Sequence, residues 1–298
     1  MAVHIGIKTP PQDIDWPTLD AAWRQIGQHD VFQSAWINDH LVDPRLPSGG
    51  RGLEALTVLA ALAHHVPGRV LGIAVLSATF RHPAVLAKQL TVLDHVTGGR
   101  LIVGLGAGWH EPEHLPFGIP FPPIVERFDR FESAVGVLRA MFSEEARRPP
   151  GVDRPDPFYP LAGATNEPGP ISPRGPQLWL GGQRRRGIDL AARYADGWVI
   201  PNLLPNGRTD RLPYFAEYRD RLLKRMAEVG RDPHGFGFGM QVPTGATPAD
   251  RADGLRLAID SVDAGSTHIV LSMPAHLGAE GIEAVAREMA EPLRQARG

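Results

Sequence analysis

The sequence predicts a (β/α)8 barrel, an α/β fold, with residues 1–298 forming one domain. Three observations predict it. Short apolar runs alternate with amphipathic segments along the whole chain, giving eight strand-plus-helix units in series. The length of 298 residues suits a barrel of about 250 residues carrying insertions. The residues just after the runs are polar or glycine, as expected where the carboxyl ends of barrel strands build a site. An open doubly wound sheet is the alternative. There the nucleotide-binding glycines usually follow the first strand, and nothing glycine-rich follows Ile7.

The first strand is Val3–Ile7, followed by a helix near Trp16–Gly27. Ala35–Asn38 is the second strand and Leu53–His65 its helix. Val70–Leu76 is the third. Its helix opens with Pro83, a residue at home in a first helical turn, places Leu86, Leu90 and Leu93 on one face, and stops at Gly98-Gly99. Leu101–Leu105 is the fourth strand. In the helix behind it, Ile124, Phe128, Phe131, Val135, Leu138 and Phe142 step by four and three, forming one apolar face.

Residues 144–176 then interrupt the alternation with prolines and glycines that suit neither a regular helix nor a central strand. This Pro/Gly-rich stretch reads as an insertion between strands four and five, and either as a lid or as a solvated excursion. Gln177–Leu180 is the fifth strand, with Ile188–Tyr194 helical behind it, and Gly197–Ile200 is the sixth, followed by a helix over about 209–229. Phe236–Val242 is the seventh. Its helix starts Thr247-Pro248-Ala249-Asp250, combining a capping hydroxyl, a first-turn proline and an early carboxylate. Thr267–Leu271 is the eighth, and the last helix aligns Ile282, Val285, Met289 and Leu293.

Composition narrows the function. With 43% hydrophobic and 21% charged residues the chain can bury a sizeable core, and its net charge of -2 gives no reason to expect nucleic acid or an anionic membrane as partner. There is no cysteine, so disulfides and thiolate chemistry are excluded. No signal-like leader or bilayer-length apolar stretch is evident, and a cytoplasmic enzyme is the expectation.

The strand ends bring Asn38-Asp39-His40, Ser77-Ala78-Thr79, Gly106-Ala107-Gly108-Trp109-His110, Gly181-Gly182, Pro201-Asn202 and Ser272-Met273-Pro274 to one mouth. Two motif matches fail on inspection. His110-Glu111-Pro112-Glu113-His114 fits the H-E-x-x-H pattern, but that zinc chemistry needs a continuous helix and Pro112 falls inside it. No metal is expected. Gly104-Leu105-Gly106-Ala107-Gly108-Trp109 has tryptophan where a dinucleotide fingerprint needs its third glycine, and it follows the fourth strand instead of the first.

The run "VLSATFRHPAVLAKQLTVLDHVTGGRLIVGLGAGWHEPEHLPFGIPFPPIVERFDRFE", together with "WINDHLVDP" and "PQLWLGGQRRRGIDLAARYADGW", closely resembles the luciferase-like monooxygenase family, in particular its F420-dependent oxidoreductase branch. The matching motifs cover roughly residues 3–200. The resemblance implies a (β/α)8 barrel binding coenzyme F420 or FMN at its mouth, and often a homodimer. It places Asp39-His40 facing the cofactor ring, a non-proline cis peptide at Ala74-Val75 beneath it and the Ser77 hydroxyl near its polar edge. Gly106, Gly108, Trp109 and His110 fall beside the cofactor, and Gly181-Gly182 where its phosphate is held.

The residues themselves agree with several of these roles. An imidazole at His40 can exchange a proton at neutral pH, or it can be a strand-end side chain bonded to backbone. Asp39 and His40 point to opposite faces of an extended strand, so one of them suffices for chemistry. Glycines at 181 and 182 admit an anion to a helix start. The following Arg184, Arg185 and Arg186 add charge where the helix dipole disfavours it, which suits a phosphate held by Arg184 or Arg185, although charge runs are commonly solvated faces. Trp109 is a cofactor neighbour or a core residue. Together these features predict hydride transfer between F420 and a small organic substrate. The alternatives are an FMN-dependent monooxygenase and a cofactor-binding barrel without turnover.

Overall fold

The computed structural model describes residues 3–46 and 49–297. In chain order the strands are β1 (His4–Lys8), β2 (Ser34–Ile37), β3 (Val70–Ser77), β4 (Leu101–Gly106), β5 (Val152–Arg154), β6 (Leu161–Ala164), β7 (Gln177–Leu180), β8 (Gly197–Val199), β9 (Gly237–Pro243) and β10 (His268–Ser272). All except β5 and β6 form one closed barrel of parallel strands, following one another around the ring until β10 pairs with β1. The helices are α1 (Trp16–Gly27), α2 (Ala55–Leu62), α3 (Pro83–Thr97), α4 (Ile124–Met141), α5 (Arg185–Tyr194), α6 (Arg211–Glu228), α7 (Pro248–Asp263), α8 (Gly278–Val285) and α9 (Glu291–Arg297). Among the described residues no helix is long and apolar enough to cross a membrane.

Local signals account for most boundaries. The Thr247 and Asp250 side chains form the reciprocal capping box that opens α7. Asp15 caps α1 by accepting from the Thr18 amide at 2.9 Å. The final helix expected from its apolar spacing is divided by a π turn at Ala286–Ala290, yet Ile282, Val285, Met289 and Leu293 are all buried. In α4, Phe131, Val135 and Leu138 face the core together with the capping Phe142, whereas Ile124 is 44% exposed. The first turn of α4 stands above the barrel rim, and there Ile124 and Phe128 face the mouth instead.

Inside the barrel, Trp36 from β2 and Trp179 from β7 are fully buried, with ring centroids 5.9 Å apart. Each indole removes roughly 150–250 Å² from water. Room for them comes from glycines on other strands. A Cβ at Gly72 would lie 2.1 Å from the Trp36 ring, and one at Gly237 2.2 Å from Trp179. Toward the amino ends of the strands, His4 and His268 stack with centroids 4.7 Å apart, and His268 meets Trp179 edge-on at 4.8 Å.

The 144–176 stretch sits elsewhere than a lid would. A barrel helix runs antiparallel to the strands, so α4 returns the chain to the amino ends before the stretch begins. From there it climbs the outer surface of α3 and α4. Asn166 donates to Thr91 Oγ1 at 2.9 Å and to the Met141 carbonyl at 3.0 Å, and the Ser172 amide donates to Asp94 at 2.8 Å. It is partly regular after all, since β5 and β6 pair as an antiparallel hairpin. None of its residues lines the cavity described below. The stretch packs along α3 and α4 and contributes nothing to the cavity wall.

Candidate active site

A cavity of about 750 Å³ opens at the carboxyl ends of the barrel strands, within the size range of small-molecule and cofactor sites. Asp39, His40, Ala74, Val75, Ser77, Gly108, Trp109, Gly181, Gly182 and Arg184 line it. Gly106, His110 and Arg185 do not, and each departure has a local reason.

Strand β3 carries an irregularity. Its register with β4 shifts between Ile73 and Leu76, and the Ala74-Val75 peptide within that shift is cis. The bulge pushes Val75 across β4. A Cβ at Gly104 would lie 2.7 Å from Val75 Cγ1 and one at Gly106 would lie 3.3 Å from Val75 Cγ2. Gly106 therefore makes room for the bulge and does not itself face the cavity. This is also the structural use of the Gly104/Gly106 pair that mimicked a dinucleotide fingerprint.

At the end of β2, Asp39 and His40 divide their work. Asp39 is 3% exposed. Its carboxylate accepts two bonds from Arg81, at 2.7 and 2.9 Å, and one from the Ser77 amide at 3.0 Å. Both oxygens are engaged, so Asp39 ties β2 to the end of β3 and is badly placed to act as an acid. His40 lines the cavity. Its Nδ1 donates to Glu113 Oε1 at 2.9 Å, and Glu113 Oε2 accepts from the Leu41 amide at 2.9 Å. Glu113 is 2% exposed. The imidazole is thus held by a buried carboxylate with its Nε2 free of any partner among the described residues. Glu113 is a site residue that sequence reasoning missed.

The H-E-x-x-H stretch forms a short 3-10 turn, Glu111–Glu113, and a second one, Leu115–Phe117, follows it. His114, for which no role is expected from sequence, is 1% exposed. Its Nε2 lies 2.7 Å from Thr79 Oγ1 and its Nδ1 lies 2.9 Å from the His110 carbonyl. Thr79 Oγ1 in turn lies 2.6 Å from Ser77 Oγ, so a polar chain runs from the mouth to His114. His110 packs its ring on Trp109 at 4.9 Å, and burial lowers its pKa. Trp109 is 57% exposed, which removes the core reading, and its ring meets His40 edge-on at 5.8 Å.

On the opposite wall, Gly181 and Gly182 join β7 to α5. Gly182 has φ +125, and a Cβ there would sit 3.1 Å from Gly187 Cα in the first turn of α5. Only glycine allows both that conformation and that approach. Arg184 is the N-cap residue of α5 and lines the cavity. Arg186 is turned away to Asp129 and Glu132 of α4. Arg185 is exposed and outside the cavity.

Residues 28–294 match the luciferase-like monooxygenase family. Among curated proteins the chain is 30% identical over 246 residues to a phthiodiolone/phenolphthiodiolone dimycocerosates ketoreductase of Mycobacterium kansasii, covering 77% of this chain and 63% of the relative. It is 32% identical over 218 residues to an F420-dependent glucose-6-phosphate dehydrogenase of Beutenbergia cavernae, covering 70% of this chain and 56% of the relative. The chain thus spans somewhat over half the length of these relatives. Its fold superposes on an F420-dependent secondary alcohol dehydrogenase solved with an F420-acetone adduct, with a TM-score of 0.80, full coverage of both chains and 17% identity.

Proposed function

The chain belongs to the luciferase-like monooxygenase family, and on that premise we propose that it is an oxidoreductase exchanging a hydride between coenzyme F420 and a small organic substrate. The observation that carries this reading is the His40–Glu113 pair, an oriented imidazole at the edge of a cavity large enough for a ring system and a substrate. The named relatives at 30% and 32% identity support the redox class.

The cavity suits the cofactor. Ala74, Ala107 and Gly181 give one part of its lining short side chains, on which a flat ring can lie. The Oδ1 atoms of Asn38 and Asn202 are buried acceptors without partners among the described residues, and both residues line the cavity. They suit an imide N–H, since a buried acceptor left unpaired is costly. Gly181-Gly182, the α5 amino terminus and Arg184 suit the phosphate.

When bound, F420 supplies or accepts the hydride. This chain's residues do the rest. His40 Nε2 gives or takes the accompanying proton, while Glu113 holds Nδ1–H and so fixes the tautomer and the ring plane. Asp39, Arg81 and Ser77 hold the strand ends in register. Trp109, Ile124 and Phe128 cover the mouth with apolar surface that limits water.

Equilibrium titration of the purified apoprotein with F420 and FMN, side by side, tests the reading. Micromolar F420 binding with negligible FMN binding is expected, and the reverse order of affinities would overturn it. Arg184→Gln is expected to weaken F420 binding about tenfold in low salt, the worth of one charge-assisted contact, and to flatten its salt dependence. Arg185→Gln is expected to do much less. Unchanged affinity and salt slope in Arg184→Gln would place the phosphate elsewhere.

A further inference from the structure

The floor of the cavity holds a cation that the proton and phosphate assignments leave unused. Lys8, the last residue of β1, is 2% exposed and lines the cavity. Among the described residues its ammonium has one partner, the Gln241 side-chain oxygen on β9. Gln241 is held in turn by donating to the Ile200 carbonyl at 2.7 Å. Among the described residues no carboxylate pairs with Lys8. The charged groups acting on it are both positive, Arg211 at the start of α6 and Arg45 in the loop after β2. Arg45 is neutralised by Asp43 at 2.6 Å. Arg211 has no carboxylate partner among the described residues, and donates to the carbonyls of Gln241, Asn202 and Pro201 at 3.0, 2.8 and 2.9 Å.

A buried charge without a counter-charge is strongly unfavourable, and natural proteins seldom leave an ammonium in that state. Burial, with help from the two arginines, pulls the Lys8 pKa down to about 7. The short side chains Ala74, Ala107 and Gly181 and the cationic Lys8 with Gln241 occupy different strands of the ring. A flat ring on the former leaves the latter to the second reactant. The walls above are apolar, from Trp109, Ile124, Phe128 and Leu203.

We propose that Lys8, supported by Gln241 and Arg211, is the binding site for an acidic group of the substrate, and that the substrate is an organic acid with an apolar body. The ammonium gives a carboxylate its missing counter-charge, and the carboxylate relieves the repulsion among the cations. This deepens the F420 reading by naming the substrate class, and it rests on that reading for which part of the cavity the ring takes.

The test uses benzoate and octanoate as probes, with benzamide as the neutral shape control, each titrated into the 298-residue protein by calorimetry. Both carboxylates are expected to bind at pH 6 at least tenfold more tightly than benzamide. Binding is expected to weaken about tenfold for each pH unit above about 7, as the free amine loses its proton. Lys8→Met is expected to lose at least tenfold in carboxylate affinity with no fall in melting temperature, because it removes an unpaired buried charge. If that variant fails to fold, the pH profile of the unaltered protein decides alone. No carboxylate binding, equal binding of benzamide, or full affinity in a folded Lys8→Met overturns the site. Preloading with F420 is expected to leave benzoate affinity within about twofold. Competitive displacement would assign the ammonium to the cofactor ring and overturn the substrate site. Because benzoate binding needs no cofactor, failure of F420 to bind is read separately.

Discussion

His40→Ala is expected to lower turnover by about 10²–10⁴-fold, the usual worth of a positioned acid or base, while F420 affinity changes little. The argument is geometric. The ring is fixed through Nδ1 by Glu113 at 2.9 Å, and Glu113 is itself fixed by the Leu41 amide at 2.9 Å. Little rotational freedom remains, so Nε2 is presented to the cavity in one orientation. Glu113→Gln keeps the shape but can offer Nδ1 either an oxygen or an amide nitrogen, which admits the wrong tautomer. It is expected to cost at least tenfold in turnover with cofactor affinity unchanged. Glu113→Asp, retaining the charge at shorter reach, is expected to recover part of the loss. Steady-state rates with F420, together with F420 titrations of each variant, check the set. Full turnover in His40→Ala would remove the residue from the mechanism. A Glu113→Asp variant no better than Glu113→Gln would reduce Glu113 to a packing role.

What the sequence revealed, and what it hid, follows the range of the interactions. The strands and helix starts are written locally. Thr247 and Asp250 are three residues apart, and their cap can be read without knowing anything else about the fold. His40 was legible because it ends a strand in a barrel whose strand ends converge. Its partner was not, since Glu113 lies in another loop, 73 residues along the chain, inside a stretch whose zinc-like pattern drew attention to His110 and His114 instead. Asp39 was ambiguous for a similar reason. Alternation says that one of two neighbours points inward, but only the Arg81 fork shows that Asp39 is already taken. Lys8 carries no local signal at all, because burial without a counter-charge is a property of the assembled floor. Where residues 144–176 pack also depends on topology. A segment following a barrel helix begins at the amino ends of the strands, whereas the loops after β2, β4, β7 and β8 leave from the carboxyl ends and line the cavity.

The same barrel is expected to lose stability steeply as pH falls from 6.5 toward 4, and His4 and His268 are the reason. Burial lowers the His4 pKa to about 4. Burial lowers that of His268 to about 3, with the neighbouring His4 adding to the effect. In the unfolded chain both titrate near 6.5. The folded protein therefore binds fewer protons than the unfolded one through this interval, which means that stability rises with pH across it. Above about 6.5 both rings are neutral in either state and nothing is lost. By pH 4 each ring contributes a penalty of roughly 3 kcal/mol, since one pKa unit is about 1.4 kcal/mol. Two such penalties approach the whole stability of an ordinary domain, about 5–15 kcal/mol. Neither ring can escape by moving, because they stack at 4.7 Å and His268 is wedged against Trp179 at 4.8 Å. His268→Phe keeps a flat ring in the slot and removes one proton-binding group. Urea midpoints at pH 7.5 are expected to differ little between the two proteins, whereas at pH 4.5 the variant is expected to be the more stable by about 3 kcal/mol. Carboxylates elsewhere titrate equally in both chains, so the difference between the two pH slopes isolates the histidine. Parallel slopes would mean that the stacked pair takes up protons without cost and that the acid sensitivity arises elsewhere.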